Sequence, residues 1–196
     1  MKKLTLITIM LGILVVANAQ TDENIILEKD FFQKNELKLT PEITKKLIKI
    51  TYSSFIDKPE RHLSNFGIKN ISQLDNLELG KPVPKYVLDN GSVRFTNRWT
   101  IPVLSDGEPL HFVNIKLESD GQYEYVGCGG ATFAELFHNF EQKDLIIGKL
   151  EDDLGLDYYI IRKDNTDIYI EVYDYNKREY LKSEYSLQYI INRIKE

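Results

Sequence analysis

The sequence predicts an α+β fold in which antiparallel β-meanders carry helices packed on one face. Three observations lead there. An amphipathic helical stripe follows Thr40-Pro41, the pattern changes to strand period beyond Pro84, and turn dipeptides then recur at short intervals. The order strand, turn, strand, turn, strand, helix also occurs twice, over Ile101 to Phe140 and again over Tyr159 to Ile194. The two stretches barely agree in residues. They predict a structural pseudo-repeat of a strand-strand-strand-helix unit, either extending one sheet or facing each other as two lobes.

The N-terminus has the layout of a secretory leader. Lys2 and Lys3 precede an uncharged apolar stretch, Leu4 to Val16, and Ala17-Asn18-Ala19 supplies small residues where a signal peptidase cuts. That stretch is shorter than the about 20 residues a membrane-spanning helix needs, and no cysteine lies beside the cut to carry a lipid. The expectation is a signal peptide over 1–19, cleaved near Ala19-Gln20, and a mature chain that is periplasmic or secreted. No later segment reads as transmembrane. Residues 20–80 form an N-terminal arm and helical segment. Residues 81–196 form the antiparallel body, in blocks 81–142 and 157–196, as one domain with the N-terminal helix.

Each element has a local reason. Ile25-Ile26 and Phe31-Phe32 are apolar pairs in a polar lead-in arm. Thr40 can cap a helix whose first position suits Pro41, since that N–H has no helical partner. Ile43, Leu47, Ile50 and Ser54 then share a stripe, Lys45, Lys46 and Lys49 face water, and the helix ends near Phe55. Gly67 and Gly80 read as stops for short helical turns, with Ser72 as a cap. Lys85 to Asp89 and Ser92 to Thr96 flank Asn90-Gly91, a hairpin signal because that pair tolerates positive φ. Trp99 to Leu104, Leu110 to Glu118 and Gln122 to Gly127 continue the meander around Asp106-Gly107 and Asp120-Gly121. Gly127 to Gly130 ends it, and Thr132 caps a helix running to about Gln142. The second block has strands over Tyr158 to Arg162, Ile168 to Tyr175 and Tyr180 to Lys182, then a helix from about Ser186 to Ile194.

Composition narrows the function. The leader holds two of the 25 basic residues and none of the 30 acidic ones, which leaves the mature chain at −7. Such a chain has no bulk attraction for nucleic acid or anionic lipid. Cys128 is the only cysteine, so no disulfide forms within the chain. Nothing in the residues implies a cofactor or a metal. Glu151-Asp152-Asp153-Leu154-Gly155-Leu156-Asp157 lacks the alternation and closing glutamate of an EF-hand loop and reads as a solvated connection.

Two features remain as candidate sites. Gly127, Gly129, Gly130 and Thr132 surround Cys128 in a glycine-rich passage from strand to helix, which can turn backbone N–H groups toward an anion. A cysteine there becomes a nucleophile if a base lies within reach, and the chain offers only His62, His111 and His138. His138 falls too far along its helix. His111 depends on register. A two-residue turn at Asp120-Gly121 pairs Val113 with Cys128 and makes His111 a diagonal neighbour. A three-residue loop, Ser119-Asp120-Gly121, pairs Phe112 with Cys128 and turns His111 to the other face. The second register also sets Leu117 against Tyr123, Lys116 against Glu124 and Ile115 against Tyr125, which sorts apolar from charged, so it is favoured. Cys128 then reads as a small buried residue at a strand end.

The other feature is tyrosine. Eight of the twelve tyrosines lie from Tyr158 onward, and Tyr169, Tyr173 and Tyr175 share a strand face opposite Ile168, Ile170 and Val172. Such a face suits contact with a protein or peptide partner, although tyrosine also simply favours strands. Trp99 reads as a core or edge plug.

Leu79-Gly80-Lys81-Pro82-Val83-Pro84-Lys85-Tyr86, Trp99-Thr100-Ile101-Pro102-Val103 and Gly121-Gln122-Tyr123-Glu124-Tyr125-Val126-Gly127 resemble segments of small exported bacterial proteins of uncharacterised family. The likeness covers roughly residues 79 to 137 and rests on glycines, prolines and strand residues. In layout the chain is also similar to PepSY-type and protease-propeptide domains, in which a helix packs on an antiparallel meander. That similarity implies an extracytoplasmic binding or inhibitory module and brings no catalytic residue with it. The expectation is therefore a secreted or periplasmic non-enzymatic binding protein. The alternatives are a cysteine-dependent hydrolase using Cys128 and a propeptide-like protease inhibitor.

Overall fold

The computed structural model describes residues 31–129, 146–164, 166–171 and 184–195. The leader, Gly130, Thr132, His138, Tyr173 and Tyr175 lie outside the described residues. Helix α1, Pro41–Phe55, starts where Thr40 and Pro41 place it, with the Ile43 N–H donating to Thr40 Oγ1 at 3.3 Å. Its buried stripe is Leu47, Thr51 and Phe55. From Leu47 the stripe therefore follows steps of four residues, 51 and 55, where the spacing had suggested 50 and 54. Helix α2, Glu60–Leu63, and two 3-10 turns, Ser64–Phe66 and Ile71–Leu74, follow. Gly67 closes the first of these turns with φ of 77°. The second is held by Gln73, whose Oε1 accepts from the N–H groups of Lys69 and Asn70 at 2.7 and 3.3 Å.

The strands are β1 Leu77–Leu79, β2 Val83–Asp89, β3 Ser92–Ser105, β4 Glu108–Leu117, β5 Tyr123–Gly129, β6 Ile146–Glu151, β7 Asp157–Lys163, β8 Thr166–Glu171 and β9 Glu184–Tyr185. Helix α3 is Leu187–Lys195. Among the described residues the nine strands form one sheet in the order β5-β4-β3-β2-β6-β7-β8-β9, with β1 paired to β3. Every pairing is antiparallel except β2 with β6, which is parallel. The fold is thus α+β and dominated by its sheet.

Three differences from the sequence reading have physical causes. Ser92 to Thr96 and Trp99 to Leu104 are one strand, because Asn97 at φ of 56° and a register shift at Lys85/Tyr86 bend β3 without breaking it. Strands β1 and β6 were not foreseen. One is only three residues long, and the other makes its parallel pairing with a strand some sixty residues earlier. The stretch Glu151 to Asp157 is not simply solvated. Asp152 is 5 % exposed; its Oδ1 accepts from the N–H groups of Leu154 and Leu156, and its Oδ2 from the Tyr158 hydroxyl.

Among the described residues the core has three parts. Leu47 and Phe55 of α1 pack with Trp99, Ile101, Val103, Val113 and Ile115. Ile190 and Ile191 of α3 pack with Tyr86, Leu88, Leu150, Tyr158, Ile160 and Tyr169. Val83, Ile146, Tyr159, Ile161 and Ile170 form the third. Along β7, Tyr158 and Ile160 belong to one cluster and Tyr159 and Ile161 to another, so both faces are buried there. This corrects the outer-face reading of Tyr169. The sheet has no solvated face at that position, and Tyr169 is 2 % exposed. Trp99 is a core residue whose Nε1–H donates to the Asn35 carbonyl at 2.8 Å.

Candidate functional site

The site is set by a defect in the β4–β5 pairing. Leaving the turn, Leu117 faces Tyr123, Lys116 faces Glu124 and Ile115 faces Tyr125, the favoured register. A bulge then intervenes, and Asn114 faces Gly127, Val113 faces Cys128 and Phe112 faces Gly129. The expected pairing of Phe112 with Cys128 is thereby overturned. A bulge adds one residue to one strand and so returns every later side chain to the opposite face. Gly127 carries the distortion at φ of 152°, a backbone state open to glycine. Cys128 ends on the face of Val113 and His111, with His111 as its diagonal neighbour at roughly 7–8 Å between Cα atoms.

On that face Cys128 lies between two polar side chains of different character. Tyr125 is hydrogen-bonded to the Cys128 sulfur, and burial first, then this bond, pushes the phenol above its ordinary pKa. His111, on the other side, is 0 % exposed. Its Nδ1 lies 3.2 Å from the Phe112 carbonyl oxygen. A carbonyl only accepts, so Nδ1 carries the proton and Nε2 presents a lone pair. That Nε2 is buried with no hydrogen-bond partner. The imidazole meets the Phe55 ring edge-on, centroids 5.0 Å apart. Burial lowers its pKa to about 4, against a smaller opposing effect of the Phe112 bond, so the ring is neutral near pH 7.

The glycine-rich passage divides between packing and strain. Phe112 points to the opposite face and covers Gly129, where an added Cβ would sit 1.7 Å from the Phe112 Cζ. Gly129 is therefore a seat for an aromatic ring. It is not left open as an anion cradle.

Cys128 itself is half-buried and opens into a cleft of about 750 Å³. Phe55, Phe66, Ser54 and Cys128 are its more buried lining, and Ser53, Asp57, Lys58, His62 and Asn65 are exposed around it. Phe55 and Phe66 pack with centroids 4.9 Å apart. The cleft thus joins the last turn of α1 and the α2 segment to the end of β5. His62 was legible only as one of three imidazoles, because no local pattern links it to a strand 66 residues later.

Other carboxylates have structural partners. Lys85 pairs with Glu151, Lys149 with Asp157 at 2.9 Å, and Lys116 with Glu118 at 2.8 Å. Among the described residues no group of three or more His, Cys, Asp or Glu could hold a metal ion, and no helix is long and apolar enough to cross a membrane. No protein-family model matches this chain, and neither a curated protein nor a solved structure matches it.

Proposed function

We propose that this chain is an exported, non-enzymatic binding protein whose ligand site is the cleft between α1, α2 and the end of β5, and that a short peptide occupies it. One observation carries the reading. The cleft's volume of about 750 Å³ lies within the ~300–1,000 Å³ range of ligand sites, and it combines a partly buried aromatic base with an exposed polar rim. Asp57 and Lys58 give the rim one charge of each sign, which suits the donors and acceptors of a peptide backbone. Export rests on the leader-like order of residues 1–19.

Packing of both α1 and α3 on one face of the sheet is supported by the register, in which Pro84 faces Trp99 and Tyr86 faces both Phe95 and Leu150. β2 to β5 and β6 to β9 are four-stranded meanders on either side of the parallel pair, which suits a pseudo-repeat extending one sheet.

A second reading, a cysteine-dependent hydrolase, is favoured only by His62 lining the same cleft as Cys128. His111 does not support it. A buried imidazole with pKa near 4 is a weak acceptor for a thiol proton. The test is titration of the mature protein with capped dipeptides, followed by amide chemical shifts. The expected result is perturbation centred on Phe55, Phe66 and Cys128, abolished by a bulky maleimide on Cys128. Perturbation elsewhere, or binding indifferent to the label, would overturn the assignment. Turnover of a capped peptide, lost in both Cys128→Ser and His62→Gln, would establish the hydrolase instead.

A further inference from the structure

Strand β5 is an edge of the sheet. Among the described residues β4 is its one strand neighbour, so each second residue of β5 turns its N–H and C=O groups away from a strand partner. The opposite edge, β9, is two residues long, too short to template a further strand, whereas β5 runs for seven. β5 holds no lysine or proline, the residues that commonly block such an edge. The bulge at Gly127 distorts only its later part, and Tyr123 to Tyr125 keep regular register with Leu117, Lys116 and Ile115. From there the strand passes through Val126, 44 % exposed and outside the β4 register, to Cys128 in the cleft. Edge and cleft are therefore continuous.

The two faces of this edge suit different side chains. Tyr123 and Tyr125 are half-buried against the core beneath α1, so apolar side chains on an added strand would extend that core. Glu124 lies on the other face and is exposed. Lys116 faces it across the ladder, but the Lys116 ammonium bonds Glu118 at 2.8 Å, and Glu118 lies within hydrogen-bonding reach of Glu124. Arg98 sits one strand further in, opposite Lys116. Glu124 is thus the outermost charge of this row, and a strand added beside it is complementary when it places a cation there.

We propose that an extended peptide adds to the outer edge of β5 as an antiparallel strand, its N-terminal end in the cleft and an apolar-basic-apolar triplet beside Tyr125, Glu124 and Tyr123. This rests on the cleft being the ligand site, and it adds the mode of binding and the residue preference. Antiparallel pairing is the more stable kind, and it sets the direction. A chain antiparallel to β5 starts at the Cys128 end and runs toward Tyr123. Backbone pairing supplies affinity, and alternate side chains supply specificity.

The probe is acetyl-Leu-Gly-Val-Lys-Val-amide, titrated into the mature protein and read by NMR, with amide exchange followed in the same samples. Shifts should move at Phe55, Phe66 and Cys128. Alternate amides over Tyr123 to Val126, those facing away from β4, should become protected. The lysine peptide should bind about fivefold more tightly than its glutamate counterpart, the effect of one cross-strand attraction gained and one repulsion avoided. Glu124→Lys, a change at an exposed position, should reverse that order. N-methylation of the lysine, or of the valine before it, should abolish protection in one case and spare it in the other, because alternate N–H groups of the peptide face β5. Cleft shifts with β5 left unprotected, equal affinity for both peptides, or a preference that survives in Glu124→Lys would overturn the inference and leave the cleft standing. Protection already present without peptide and falling on dilution would assign the edge to a second copy of this chain, which also overturns it. Movement at neither place would overturn the inference and the cleft together.

Discussion

His111 sits in surroundings far from water. Its proton sits on Nδ1 against a carbonyl, its other nitrogen meets no partner, and Phe55 covers it. The folded pKa of about 4 lies below the ordinary value of 6.5. As pH falls, the unfolded chain therefore takes up the proton first. Stability is full above about pH 6.5 and is lost progressively toward pH 4, by about 3 kcal/mol if this group acts alone. Urea unfolding at pH 7 and at pH 4 should show that difference in the wild type. A His111→Leu variant should lose less over the same interval, since its buried side chain has nothing to protonate. An equal loss in both proteins would place the acid sensitivity on the carboxylates instead.

At the scale of elements, the β5 bulge decides what the site contains. Without it Cys128 would face away from His111, and the cleft would end on a different side chain. Gly127 sits at φ of 152° with no atom within 4 Å of where a Cβ would be, so any penalty there is backbone strain alone. Gly127→Ala should cost about 1–2 kcal/mol. Urea denaturation measures that cost, and amide exchange should quicken along β5 beyond Tyr125. An unchanged midpoint would show that the bulge tolerates a side chain. The contrast with the rest of the meander explains what the sequence made legible. Asn90-Gly91 declares its turn chemically, with both residues at positive φ and Asp89 facing Ser92. Thr40-Pro41 declares a helix start just as locally. The apolar sorting of Leu117, Ile115, Tyr123 and Tyr125 even fixed the register near the Gly121 turn. The bulge lies beyond the reach of that turn, and no dipeptide announces it. The apolar sorting therefore favoured the register that turns Cys128 away from His111, and the shared cleft of Cys128 and His62 was hidden because it depends on where α2 lands.

Across the whole molecule the least legible feature is the parallel β2–β6 pair, because turn residues specify antiparallel neighbours and nothing local specifies a parallel one. That pair joins β2–β5 to β6–β9 in a single sheet. Tyr86 and Leu150 face each other across it and are both 0 % exposed. Around them the core beside α3 reaches Phe95, which also packs against Trp99 in the core beneath α1. Packing is thus continuous from α1 to α3, and the two halves should unfold as one unit. Ile160 tests this because it is fully buried in β7, in the opposite half from Trp99. Ile160→Ala should cost about 2–5 kcal/mol, the range for truncating a core aliphatic side chain. Trp99 is the only tryptophan, so its fluorescence reports on the β2–β5 half alone, whereas far-ultraviolet circular dichroism reports on the whole sheet. Coupling across β2–β6 requires the two urea midpoints to fall together in the variant. A fluorescence midpoint that stays at its wild-type value while the dichroism midpoint drops would mean that the halves fold independently. The parallel pair would then be a docking seam between them, and the cleft in the first half would withstand damage to the second.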